Sequence, residues 1–222
     1  MFRHTMVGIV AVALCATPVW SADVAGNGGF EVAGVGGATD SAMWYEFTSY
    51  AGNLSERSTM NPASGSYAHR LYAVGTEGLG TVAGIQQNSG NDVGLLSLEP
   101  GTTVSATFDA MTPFGPGGVM NYTLRILNGT GAIVGIYNNT IPSPSAVYNT
   151  YTTPDLVVPA FGPAPNDYYV AFFEVNAAAG GFGGSTAEVY VDNVHINGTI
   201  VPEPSSLLLL GLAAAGLIRR RR

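Results

Sequence analysis

Thr103-Val104-Ser105-Ala106-Thr107-Phe108-Asp109-Ala110 sets apolar Val104, Ala106, Phe108 and Ala110 against polar Thr103, Ser105, Thr107 and Asp109. A period of two puts each set on its own face of an extended chain, so the stretch is predicted to be a strand with one face in a core. The pattern recurs. Tyr122, Leu124 and Ile126 alternate with Thr123 and Arg125, and Tyr169, Ala171, Phe173 and Val175 form another set, as do Val189 and Val191. Turn signals separate these runs: Glu99-Pro100-Gly101, Phe114 to Gly118, Asn128-Gly129 and Pro163 to Asn166. Gly-rich Gly34 to Gly37 and Ala177 to Gly184 read as loops, and nothing reads as a long amphipathic helix. Many short strands at this spacing predict an all-β fold, a single β-sandwich of the jelly-roll kind over residues 22–200.

The two ends differ from this body. Met1 to Ser21 reads as a secretory signal peptide: Arg3 and His4 are basic, Val7 to Ala16 is apolar, and Pro18 precedes a small-residue cut after Ser21. Leu14 before Cys15 is too large for a lipoprotein signal, so Cys15 belongs to the apolar stretch and leaves with it. The chain ends VPEPSSLLLLGLAAAGLIRRRR, residues 201–222. Leu207 to Ile218 as a helix covers ~18 Å, short of the ~30 Å hydrocarbon core, and four arginines would hold its end in the cytoplasm. Such a segment suits transient inner-membrane association; a C-terminal anchor is the alternative. A GPI signal would end in its apolar tail.

The order Pro202-Glu203-Pro204, apolar helix, arginines closely resembles the PEP-CTERM sorting signal of Gram-negative bacteria. That resemblance implies an exosortase-type membrane protease as partner. It also implies export through the inner membrane, then placement at the cell surface or in the extracellular matrix.

Charge narrows the partners. The chain has no lysine, and five of its eight arginines lie in the two signals, which leaves Arg57, Arg70 and Arg125. Fourteen acidic residues between Asp23 and Asp192 give the body a net charge of −11. Phosphate binding relies on Lys and Arg, so nucleic acid is excluded. Neutral sugars, cations and simple solubility remain compatible. Without Cys15 there is no thiol for a disulfide, a nucleophile or a metal site.

Two motifs bracket the body: Asn27-Gly28-Gly29-Phe30-Glu31 and Val191-Asp192-Asn193-Val194-His195-Ile196. The pair resembles the galactose-binding-like jelly rolls, which include several carbohydrate-binding modules and whose first and last strands are neighbours. Gly65-Ser66-Tyr67-Ala68, Gln86-Gln87, and Leu98 through Val104 fit the same pattern loosely. The resemblance implies that Glu31 and Asp192 help hold a structural calcium ion, which needs further oxygen ligands; the alternative is that both cap turns.

Trp44, Tyr45 and Tyr50 are candidates for stacking on a sugar ring. Consecutive strand residues face opposite ways, so Trp44 and Tyr45 cannot share a face of a regular strand and at least one of them belongs to the core. For catalysis there is little: His69 and His195 stand far apart, no nucleophile motif occurs, and Glu174 and Glu188 are nominal paired carboxylates. The sequons at Asn53, Asn121, Asn128, Asn138 and Asn197 read as turn residues. Together these features predict a non-catalytic module for carbohydrate or exopolysaccharide. A structural matrix protein without a specific ligand is the alternative, and a glycan-active enzyme a minor one.

Overall fold

The computed structural model describes residues 20–93, 96–160 and 168–201, and every regular element among them is a strand. They are β1 (Trp20–Asp23), β2 (Ala33–Gly34), β3 (Gly37–Ser41), β4 (Tyr45–Thr48), β5 (Leu54–Ser58), β6 (Ala68–Val74) and β7 (Thr81–Asn88). Then follow β8 (Thr103–Thr112), β9 (Gly118–Asn128), β10 (Ile133–Ile141), β11 (Ser145–Thr152), β12 (Leu156–Val157), β13 (Tyr169–Ala179) and β14 (Thr186–Ile200). One sheet has the order β11-β8-β14-β6-β5, with β1 added to β14 and β12 to β8; the other is β10-β9-β13-β7-β4. Strands β2 and β3 form a separate hairpin.

The alternation at residues 103–110 is that of β8. Val104, Ala106, Phe108 and Ala110 are buried, and the residues between them face outward. The inner faces of the two sheets meet in one core. Phe108 of β8 lies 5.4 Å from Phe173 of β13 and 5.1 Å, edge-on, from Tyr122 of β9. Each such side chain removed from water contributes ~1.5–3 kcal/mol, so these inward sets hold the sheets face to face. The all-β sandwich expected from the alternation is the observed fold.

Local readings fare differently. Gly34 to Gly37 is the turn of the β2–β3 hairpin, where Asp40 Oδ2 accepts the Gly36 N–H at 2.6 Å. Asn121, Asn138 and Asn197 lie inside β9, β10 and β14, not in turns. Among the described residues no helix is long and apolar enough to cross a membrane. The signal peptide apart from its last two residues, the Pro202-Glu203-Pro204 motif and the apolar C-terminal helix lie outside the described residues. The expected cut after Ser21 falls within β1.

Candidate functional site

The outer face of the five-stranded sheet is built from the residues its strands leave out of the core. Register aligns them in rows. Tyr45 pairs with Gln86, Gln86 with Glu174, Glu174 with Thr123, and Thr123 with Asn138. The next row runs Phe47, Gly84, Asn176, Asn121, Thr140. Gly84 is required there: a Cβ would come 2.3 Å from Phe47 Cζ, so the glycine lets that ring lie on the sheet. On the other side Phe172 pairs with both Asn88 and Arg125.

Hydrogen bonds knit the rows together. Asn121 Nδ2 donates to Asn176 Oδ1 and Asn176 Nδ2 to Glu174 Oε1, both at 2.9 Å. Thr123 and Thr140 donate to Asn138 Oδ1 and Asn121 Oδ1, both at 2.8 Å. Arg125 packs its guanidinium 5.0 Å from the Phe172 ring centre and 3.7 Å from Glu174 Oε2. Its Nε is buried without a hydrogen-bond partner among the described residues. Mutually bonded amides and hydroxyls hold fixed rotamers and still have donors and acceptors to spare. The face offers a ligand many weak polar contacts, an aromatic margin at Tyr45, Phe47 and Phe172, and almost no net charge.

Of the aromatic candidates, Tyr45 is 59% exposed on this face, and Tyr50 is 42% exposed in the turn after β4. Trp44 corrects the expectation of a platform. It is only 6% exposed, packs 5.3 Å from the Phe30 ring, and donates Nε1–H to the Asn27 carbonyl at 3.2 Å. The period of two sends Trp44 inward and Tyr45 outward.

Glu31 and Asp192 come together at the second feature, the junction of the chain's first and last strands. Val24 N–H donates to Ile196 O and Val194 N–H to Gly28 O, so the two bracketing motifs run side by side. A Cβ on Gly29 would lie 3.9 Å from Asp192 Oδ1 and 4.0 Å from Glu31 Cγ. Both carboxylates hold the loop before β6. Asp192 Oδ2 accepts the Ala63 and Ser64 N–H at 2.9 Å, while Glu31 Oε1 accepts those of Ser66 at 2.7 Å and Tyr67 at 3.1 Å. Burial raises the Asp192 pKa against the lowering effect of its N–H partners, and the Glu31 charge raises it further. The oxygen-only donors suit a hard cation. Among the described residues no group of three or more His, Cys, Asp or Glu could hold a metal, so backbone carbonyls would have to supply the remaining ligands.

Glu174 and Glu188 are not a pair. Glu174 stands on the outer face of the five-stranded sheet. Glu188 stands on the opposite outer face, where it accepts from Arg70 Nε and Tyr190 OH, both at 2.8 Å. His195 Nδ1 meets Asp23 Oδ2 at 2.6 Å. His69 is wholly buried between Ser41 and Ser55.

The polar rows went unread in the sequence, although outward sets such as Asn121, Thr123 and Arg125 carry a signal. They are amide- and hydroxyl-rich where a solvated face would be rich in charges. Their alignment across strands distant in sequence is a matter of register, which alternation alone does not give.

No curated protein matches the chain. Among solved structures it resembles the enzymatically active domain of tailspike protein 4 of bacteriophage CBA120, at 19% identity and TM-score 0.55, covering 80% of this chain and 21% of that one. The chain thus spans about a fifth of that domain. It also resembles the Stig cyclase Fisc from Fischerella sp. TAU, at 16% identity and TM-score 0.52, covering 81% and 97%. TmCBM61, solved with beta-1,4-galactotriose, is similar at 11% identity and TM-score 0.49, covering 79% and 98%. At such identities the likeness is one of fold. The family described as "PEP-CTERM protein-sorting motif" matches residues 201–222. The chain is therefore an all-β sandwich that ends in a PEP-CTERM protein-sorting motif.

Proposed function

We propose that the protein is exported, sorted by an exosortase-type protease acting at Pro202-Glu203-Pro204, and placed at the cell surface or in the matrix to bind polysaccharide without cleaving it. The observation that carries the binding reading is the row Tyr45–Gln86–Glu174–Thr123–Asn138 with its hydrogen-bonded neighbours. Fixed amides and hydroxyls match the alternating donors and acceptors of sugar hydroxyls, and exposed rings match the C–H faces of a pyranose. A neutral or weakly charged polymer suits a face with one arginine beside one glutamate. Glu174 is the single carboxylate on the face among the described residues, whereas glycoside hydrolysis ordinarily needs two. The similar structures include enzymes, so the reading rests on the face itself.

The test is a glycan array probed with residues 22–201, with and without calcium. Binding to one or more polysaccharides is expected, and replacing Gln86 and Asn176 together by Ala should abolish it while circular dichroism shows the fold retained. Failure to bind any neutral or acidic polysaccharide would sink the reading. It would leave the rival, a structural matrix protein without a ligand, which the burial of Trp44 favours.

Calcium belongs to the same proposal as a stabiliser. Glu31, Asp192 and nearby carbonyls would hold it, and its charge would relieve the repulsion between the two carboxylates. Calcium should then raise Tm in the native protein and not in Asp192→Asn.

A further inference from the structure

Edge strands carry unpaired backbone donors and acceptors, and folded proteins blunt them with short length, charge, proline or a covering element. Three of the four sandwich edges compare simply. Strand β4 has only four residues and includes Glu46; β5 has five and includes Glu56 and Arg57. Strand β10 has nine residues, Ile133-Val-Gly-Ile-Tyr-Asn-Asn-Thr-Ile141, with no charge and no proline. Among the described residues its one ladder is with β9. Ile133, Val134 and Ile136 are exposed along it.

The charge distribution says which partner fits. The body carries −11, yet from residue 126 to residue 154 there is no Asp, Glu, Lys, Arg or His, the longest such run in it. That run covers β10 and also β11, the edge of the other sheet on the same side, joined to β10 by residues 142–144. Two copies meeting on most other surfaces would bring like charges together; on this wall they bring none. An antiparallel pair of identical strands is self-complementary about a twofold axis, so one edge serves both partners and the contact closes.

We propose that β10 is a dimerisation edge, on which a second copy of this chain adds its own β10 antiparallel to form a continuous ten-stranded sheet. No glycan takes part, so the inference stands or falls independently of the binding reading.

Sedimentation velocity of residues 22–201, the part that contains the whole described core, tests it over a concentration series without ligand. A reversible monomer–dimer equilibrium is expected. Ile136→Lys and Asn138→Lys each place a like charge beside the twofold axis and should weaken the dimer more than about tenfold. Thr48→Lys, on the opposite edge, should leave it unchanged. Circular dichroism and Tm verify that all three variants fold. A chain that stays monomeric throughout the series overturns the proposal. So does a dimer that survives both β10 variants, or one that Thr48→Lys disrupts. Pairing of β10 only with an extended segment of another protein would show as a monomer alone and would equally overturn it.

Discussion

His69 is an ionisable group wholly buried in the core, and its chemistry gives the protein a defined response to acid. Ser55 Oγ donates to the Gly84 carbonyl at 2.8 Å, so it accepts from His69 Nε2 at 3.0 Å, which leaves Nδ1 to accept from Ser41 Oγ at 2.8 Å. A neutral imidazole satisfies all three bonds. Burial lowers the His69 pKa to about 3 from 6.5. Glu46, 3.8 Å from Nδ1, is pushed up to about 7 from 4.5, chiefly by burial and further by the Asp40 and Glu56 charges, against the Ser41 N–H bond, which lowers it. The two act in opposite directions. Glu46 takes up a proton on folding, so its contribution to stability rises as pH falls from about 7 to 4.5. His69 must stay neutral to remain buried, so its contribution is lost as pH falls from 6.5 towards 3. Of these two groups only the histidine still responds below pH 4.5, so the loss of Tm they cause is expected to be steepest there. Glu46→Gln should remove the upper limb of a Tm–pH curve measured between pH 3 and 8 and spare the lower one. A lower limb unchanged in His69→Gln would contradict this account. Nothing in the sequence marked this cluster, because Ser41, Glu46, Ser55 and His69 meet only through tertiary packing. Trp44, by contrast, was half legible: alternation required that one of Trp44 and Tyr45 turn inward, without saying which.

Individual strands were the legible level of this fold. The inward sets of β8, β9, β13 and β14 were read from period two alone, and the turns at Glu99-Pro100-Gly101 and Asn128-Gly129 fell where Pro and Gly put them. Where polar residues served the sheet itself, as with Asn121 and Asn138, composition pointed wrongly to turns. The glycine-rich bracket was informative for a steric reason. At Gly28 a Cβ would sit 1.9 Å from the Val194 carbonyl oxygen, which accounts for a glycine where the first and last segments touch. Gly28→Ala must push that junction apart and should cost ~1–3 kcal/mol, read from urea unfolding. A variant within about 0.5 kcal/mol of the parent would show that the junction yields freely.

At the scale of the molecule, charge was legible and sheet order was not. The count of three arginines against fourteen acids in the body came directly from the sequence, and the uncharged wall of β10 and β11 is its structural counterpart. Sheet order has a further consequence. Strand β14 is the middle of its sheet, between β8 and β6, and β13 is the middle of the other, between β9 and β7. Until residues 169–200 join, the rest of the chain can supply to the two main sheets only the detached groups β11-β8-β12, β6-β5, β10-β9 and β7-β4. Closing such contacts across long loops is entropically slow. A chain ending at residue 167 should therefore show no cooperative melting transition; a sigmoidal melt would refute that. The last strands made are thus the keystones of both sheets. If the body is threaded through an export channel from its N-terminus, as the proposed function requires, it stays unlocked, and so still threadable, until nearly all of it has passed.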